Sequence, residues 1–202
     1  MHRQIVAAGL LATAAATPAF AASDTFNRTT LGSDWVTVAG STYIVNSAYA
    51  GSDSSQANFI PAKKDNEASV LVRLNGTGLQ FGEIVIGNAF IKIQSQNGTG
   101  TFDHAGFKST QFISGTFFPL TGLPAVSTAR LTARLIGTVA TMEIDTNLDG
   151  WPEKTYTHDF GMAHGSGIGL RTYGPVRMDN LRTNKAVAAT VAPADNHVDL
   201  AR

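Results

Sequence analysis

The run Asp145-Thr146-Asn147-Leu148-Asp149-Gly150 sets three oxygen-bearing side chains at alternate positions ahead of a glycine. In the first half of an EF-hand-type loop this spacing turns the oxygens inward around a hard divalent cation, and the glycine permits the bend. Asp145, Asn147 and Asp149, with Glu153 at the ninth place, are therefore the candidate ligands for calcium. The twelfth place, which would supply a bidentate carboxylate, is Tyr156, and the runs on either side read as strands, not helices. A second reading stays open, in which the segment is a hairpin loop whose Asp and Asn side chains bond their own backbone and tolerate left-handed dihedrals. A bound calcium ion would rigidify this loop in a chain that contains no cysteine.

Trp151 follows that glycine and precedes Pro152. An exposed indole there would offer a flat face to a sugar ring; folded back, it would cover a sheet edge. Tyr173 and His104 complete the candidate ligand contacts. His104 lies in the segment 101–108, TFDHAGFK, after the turn signal Asn97-Gly98-Thr99-Gly100, and the segment reads as a long surface loop of the kind that carries contacts. No catalytic residue is assigned. G-x-S-x-G, H-E-x-x-H and G-x-x-x-x-G-K-[ST] patterns are absent, and Gly165-Ser166-Gly167-Ile168-Gly169 leads into a strand pattern where a dinucleotide fingerprint would open a helix.

The elements that must position these residues have the period of strands. Glu67–Leu74 alternates Ala68, Val70, Val72 and Leu74 with Ser69, Leu71 and Arg73, as a half-buried strand does. Similar short runs are predicted at 35–38, 43–45, 57–60, 82–86, 90–94, 111–113, 129–136, 139–144, 154–158, 167–172 and 176–182, with Gly, Asn, Asp and Pro clusters between them. Many short strands at this spacing predict an antiparallel sandwich or a barrel.

The 202 residues carry 15% charged side chains, a formal net charge of zero and no cysteine, which argues against a nucleic-acid binder, a disulfide scaffold or a disordered chain. Residues 1–21 have the layout of a secretory signal peptide: basic His2 and Arg3, an apolar run from Ile5 to Ala16, then Pro18 and Ala19-Phe20-Ala21. That run is too short for a bilayer span of roughly 20 apolar residues, and none of the later stretches approaches the length. The expected destination is outside the cell or the periplasm. Residues 184–202, rich in Ala and Val around Pro193, are expected to form a loose extension.

Asp24-Thr25-Phe26-Asn27-Arg28, Leu31-Gly32-Ser33-Asp34-Trp35, Tyr43-Ile44-Val45-Asn46, Gly167-Ile168-Gly169-Leu170-Arg171 and Asp179-Asn180-Leu181 occur in that order. Together they resemble the concanavalin A-like lectin/glucanase superfamily, in particular its laminin-G-like bacterial members. The resemblance implies an all-β, two-sheet antiparallel jelly-roll sandwich over residues 22–183, with its two ends side by side in one sheet. It leaves function open among lectins, adhesion domains, glycoside hydrolases and polysaccharide lyases. Retaining glucanases of the superfamily carry E-x-D-x-(x)-E on one strand; Glu143-Ile144-Asp145 begins that pattern, but Asp149 arrives one residue late, and the match reads as accidental. His104, His158, His164, Tyr156, Tyr173 and Arg171 are residue types a lyase uses, and no spacing unites them. Phe26 and Trp35 are expected in the core.

The expected function is an exported, non-catalytic carbohydrate-binding or adhesion-type module whose partner is an extracellular glycan. A polysaccharide-active enzyme of the same fold and a structural, envelope-associated protein are the alternatives.

Overall fold

The computed structural model describes residues 22–52, 54–111 and 115–184. The expected signal segment, the extension beyond Asn184 and most of the strand predicted at 111–113 lie outside the described residues.

The strands are β1 (Ala22–Asp24), β2 (Trp35–Ala39), β3 (Thr42–Val45), β4 (Ala48–Gly51), β5 (Ser55–Phe59), β6 (Glu67–Leu74), β7 (Gln80–Ile86) and β8 (Ala89–Ser95). They continue with β9 (His104–Ser109), β10 (Thr116–Pro119), β11 (Thr128–Ile136), β12 (Val139–Asp145), β13 (Lys154–Asp159), β14 (Ile168–Tyr173) and β15 (Val176–Asn184). One 3-10 turn, Ile60–Ala62, interrupts them. A first sheet runs β13-β12-β11-β6-β15-β4-β3, with β1 also on β15; a second runs β10-β9-β8-β7-β14-β5-β2. All neighbours are antiparallel. The architecture is therefore the two-sheet antiparallel sandwich read from the sequence.

The two-residue period accounts for the core. In β11, Ala129, Leu131, Ala133 and Leu135 are buried between half-buried Thr128, Arg130, Thr132 and Arg134. They meet Ile84, Ile86, Ile91, Ile93 and Leu170 of the second sheet in one apolar layer. Tyr49 of β4 crosses the layer and donates its hydroxyl to the Leu170 carbonyl at 3.1 Å.

Both ends of the sandwich meet in the first sheet, where Ala22 pairs Thr183 and Asp24 pairs Leu181. The Asp24 carboxylate accepts the Phe26 amide, Arg28 Nη1 and Trp35 Nε1, each at 2.7 Å. Phe26 and Trp35 are buried against Tyr49, and Trp35 also packs on Phe59. The Asp, Arg and Trp of the opening motif are thus one structural knot, and both aromatics belong to the core, as expected.

The segment 101–108 differs from its reading as a surface loop. His104–Ser109 is strand β9, paired with both β8 and β10. Its alternation is masked by Gly106, which holds a strand position because the Phe117 ring of β10 lies 2.5 Å from where a Cβ would stand. Strands β1, β4 and β10 are short and also went unread; β4 (Ala-Tyr-Ala-Gly) is buried throughout and has no polar face to give a period. Among the described residues no helix is long and apolar enough to cross a membrane.

Candidate binding face

Side chains that point away from the core on the second sheet form three cross-strand rows. The register aligns Gln56, Arg171, Glu83, Lys92, Gly106 and Phe117 in the central row. Beside it runs Tyr173, Phe81, Gln94, His104 and Pro119. On the other side run Asn58, Gly169, Val85, Phe90 and Lys108. Outward positions of an antiparallel sheet commonly face water, yet Phe81, Glu83, Val85, Phe90 and Gln94 are all buried here. They cover one another on a face packed with large side chains.

Glu83 is the centre of this face, 1% exposed. Arg171 Nη1 donates to its Oε2 at 3.1 Å, and Arg171 Nη2 donates to Ser54 Oγ at 3.2 Å. Burial pushes the Glu83 carboxyl above its usual range, against the pull of Arg171, Lys92 and Lys108. Burial likewise pushes the Lys92 ammonium down. Lys92 Nζ lies 4.7 Å from the Phe81 ring centre and 4.5 Å from that of Phe117, so both ring faces stabilise the ammonium. Arg171 lies over Phe81 and Phe90, and Phe81 stacks on Tyr173 at 5.3 Å. Above this floor an open groove of about 630 Å³ is lined by Gln56, Phe90, Lys108 and Arg171, with Ser54 and Thr110 on its walls. The groove thus brings the Phe90 ring, an amide and two cations together, and Phe81, Lys92 and Phe117 lie beside it on the same face.

Neither Glu83 nor Lys92 was singled out in the sequence. The signal was there: in the turn Gly87-Asn88, Ile86 pairs Ala89, and equal steps away from the turn bring Glu83 opposite Lys92. Reading it required seeing that two charges lay mid-run in apolar strands.

The sequence matches neither a family model nor a curated protein. Solved structures do match. The non-specific endo-β-1,3(4)-glucanase SCLam of family GH16 gives a TM-score of 0.56 at 10% identity, covering 83% of this chain and 91% of that one. The laminarinase catalytic domain of Thermotoga maritima gives 0.56 at 11%, covering 84% and 99%. Carbohydrate-binding module CBM66 of Bacillus subtilis gives 0.52 at 11%, covering 77% and 97%. The fold is the concanavalin A-like jelly roll. Enzymes and binding modules share this jelly roll, and the likeness by itself favours neither.

On the jelly roll, Tyr173 and His104 occupy the same outer row, with Phe81 and Gln94 between them. Three strand spacings separate them, roughly 14 Å, too far for both to flank one glycosidic bond. His104 Nδ1 lies 2.9 Å from Asp103 Oδ1. Trp151 does not join them: it is 78% exposed in the β12–β13 hairpin of the first sheet. Glu143 and Asp145 also belong to that sheet.

In that hairpin, carboxylate oxygens of Asp145, Asp149 and Glu153 lie within 4.8 Å of one another. Asp145 accepts the amides of Leu148 (2.6 Å) and Gly150 (3.0 Å), Asp149 accepts that of Trp151 (2.8 Å), and Glu153 accepts that of Thr146 (2.6 Å). Asn147 is engaged with Asp149 twice, its Oδ1 accepting the Asp149 amide at 2.9 Å and its Nδ2 donating to Asp149 Oδ2 at 3.1 Å. Leu148 takes a left-handed φ of 63°. The backbone bonds expected of a hairpin loop are therefore all made. Each carboxylate keeps further lone pairs, so the chemistry of the set also suits a hard cation.

Proposed function

We propose that the protein is an exported glycan-binding module that lays an extracellular polysaccharide across the outer face of the second sheet. The observation that carries this reading is the make-up of the central row. A two-carboxylate glycosidase needs its acids about 5 to 9.5 Å apart, and around Glu83 the neighbouring outward positions hold Arg171, Lys92, Phe81 and Val85. Glu83 itself is buried and bonded to Arg171, which suits a structural anchor better than a proton donor. The accessible rings of Phe117 and Tyr173 and the amides of Gln56 and Asn58 are the groups that stack on sugar rings and bond hydroxyls. The leader-like residues 1–21 support export, and the glucanase and binding-module neighbours support a glycan as the ligand. In the same reading, Asp145, Asp149 and Glu153 hold a structural calcium ion, with Asn147 fixing Asp149.

The test is a glycan array followed by titration of the ligand found. Phe117 is 44% exposed, so Phe117→Ala should leave the fold intact and weaken binding by roughly tenfold, the value of one stacking ring. Tyr173→Ala should act in the same direction. Unchanged affinity in both variants would remove the outer face as the site.

A further inference from the structure

The chain as a whole is balanced, with 15 basic and 15 acidic residues, but the face just described is not. Among its strand residues stand Arg171, Lys92 and Lys108 and a single carboxylate, Glu83. That carboxylate is already committed to Arg171 and lies beneath the surface. The Lys92 ammonium lies beside the Phe81 and Phe117 rings and feels the Glu83 charge across the ladder, but among the described residues no carboxylate comes within ion-pair distance of it. Lys108 is exposed on the groove wall. Arg171 uses one N–H on Glu83 and one on Ser54, which leaves donors of its five for a ligand. The other acid nearby, Asp103, is occupied by the amides of Gln96 and Asn97 and by His104.

Given the glycan-binding reading above, we infer that this face selects an acidic glycan, one whose sugars bear carboxylate or sulfate groups, held by Arg171 and Lys108 in the groove and by Lys92 beside it. Three cations share this face with one carboxylate, so its field favours an anionic ligand over a neutral glycan of the same shape. The guanidinium fork of Arg171 matches the planar oxygens of a carboxylate or the face of a sulfate. The amides and aromatic rings alternating with the cations suit a hydroxyl-bearing ring between the charges.

Matched pairs of probes test this on the purified full chain: polygalacturonate against its fully methyl-esterified form, and dextran sulfate against dextran, at low and moderate salt. The expected result is binding of at least one charged member more than tenfold tighter than its neutral partner, with affinity falling as salt rises. Which charged member binds better assigns carboxylate or sulfate. Lys108→Gln, at an exposed strand position, should lower the ratio of charged to neutral affinity by about tenfold, the value of one charge-assisted contact. Lys108→Glu should lower it further. Equal affinity within each pair overturns the acidic-glycan inference while keeping glycan binding. Silence from all four probes and from the glycan array overturns both. An oligothymidylate that binds more tightly than either charged glycan assigns the face to nucleic acid and overturns the inference.

Discussion

Asp24 ties together the opening turn of the fold through the Phe26 amide, Arg28 and Trp35. Burial alone would raise its carboxyl pKa, but the bonds from Arg28, Trp35 and the Phe26 amide outweigh it and hold the group below its ordinary value. A carboxyl depressed in the folded state adds stability above the unfolded pKa, near 4, and that contribution is lost as pH falls through the folded value. Asp24→Asn should therefore cost about 2 kcal/mol in urea melts at pH 7; the difference from the parent should shrink towards pH 2, and a pH-independent gap would contradict the assignment. This knot also explains what was legible at this scale: Asp24, Arg28 and Trp35 are close in the chain and touch one another, so their spacing survives as a motif. Glu83 and Arg171 are 88 positions apart and meet only across the β7–β14 ladder. Sequence order gave no hint of that pair.

Hairpins decide which strand faces are built, and two of them carry predictions. Gly87 has a left-handed φ of 56°, and a methyl group there would collide with the His164 carbonyl, which also accepts the Asn88 amide at 2.9 Å. Gly137, at φ 62°, has open space around it. Gly87→Ala should thus cost about 3 kcal/mol or more, against about 1 kcal/mol of backbone strain alone for Gly137→Ala. Thermal melts that rank the two equally would remove the collision as a cause. In the β12–β13 hairpin, Asp149→Ala should lower the melting temperature when calcium is saturating, by the equivalent of about 2 to 3 kcal/mol, and change little in chelator. An equal loss in both conditions would leave only the backbone-bonding role of the loop. The segment 101–108 shows why element reading failed where it did: a glycine forced by a neighbouring ring looks, in one dimension, like a turn. Glu67–Leu74, which holds no glycine or proline, was read to its ends, but it is not half-buried: Ser69 and Leu71 on its other side are buried as well.

At the scale of the molecule, a net charge of zero concealed a sheet face with three cations and one acid, because counting averages over surfaces that a ligand meets one at a time. Strand spacing left a sandwich and a barrel both open, the resemblance carried by the end motifs pointed to two sheets, and the assignment of strands to sheets was not legible, since it depends on pairings between distant segments. The closing strand illustrates the point: β15 lies inside the first sheet, with β6 on one side and β4 and β1 on the other, and Ala22 meets Thr183 161 positions away. A chain emerging from its amino end therefore has a gap in the middle of that sheet until β15 arrives. Neither β4 nor β1 can be stitched to β6 beforehand, so partial chains gain little from folding early. Under the proposed export, this delay would keep the chain threadable until β15, the last strand among the described residues, has emerged.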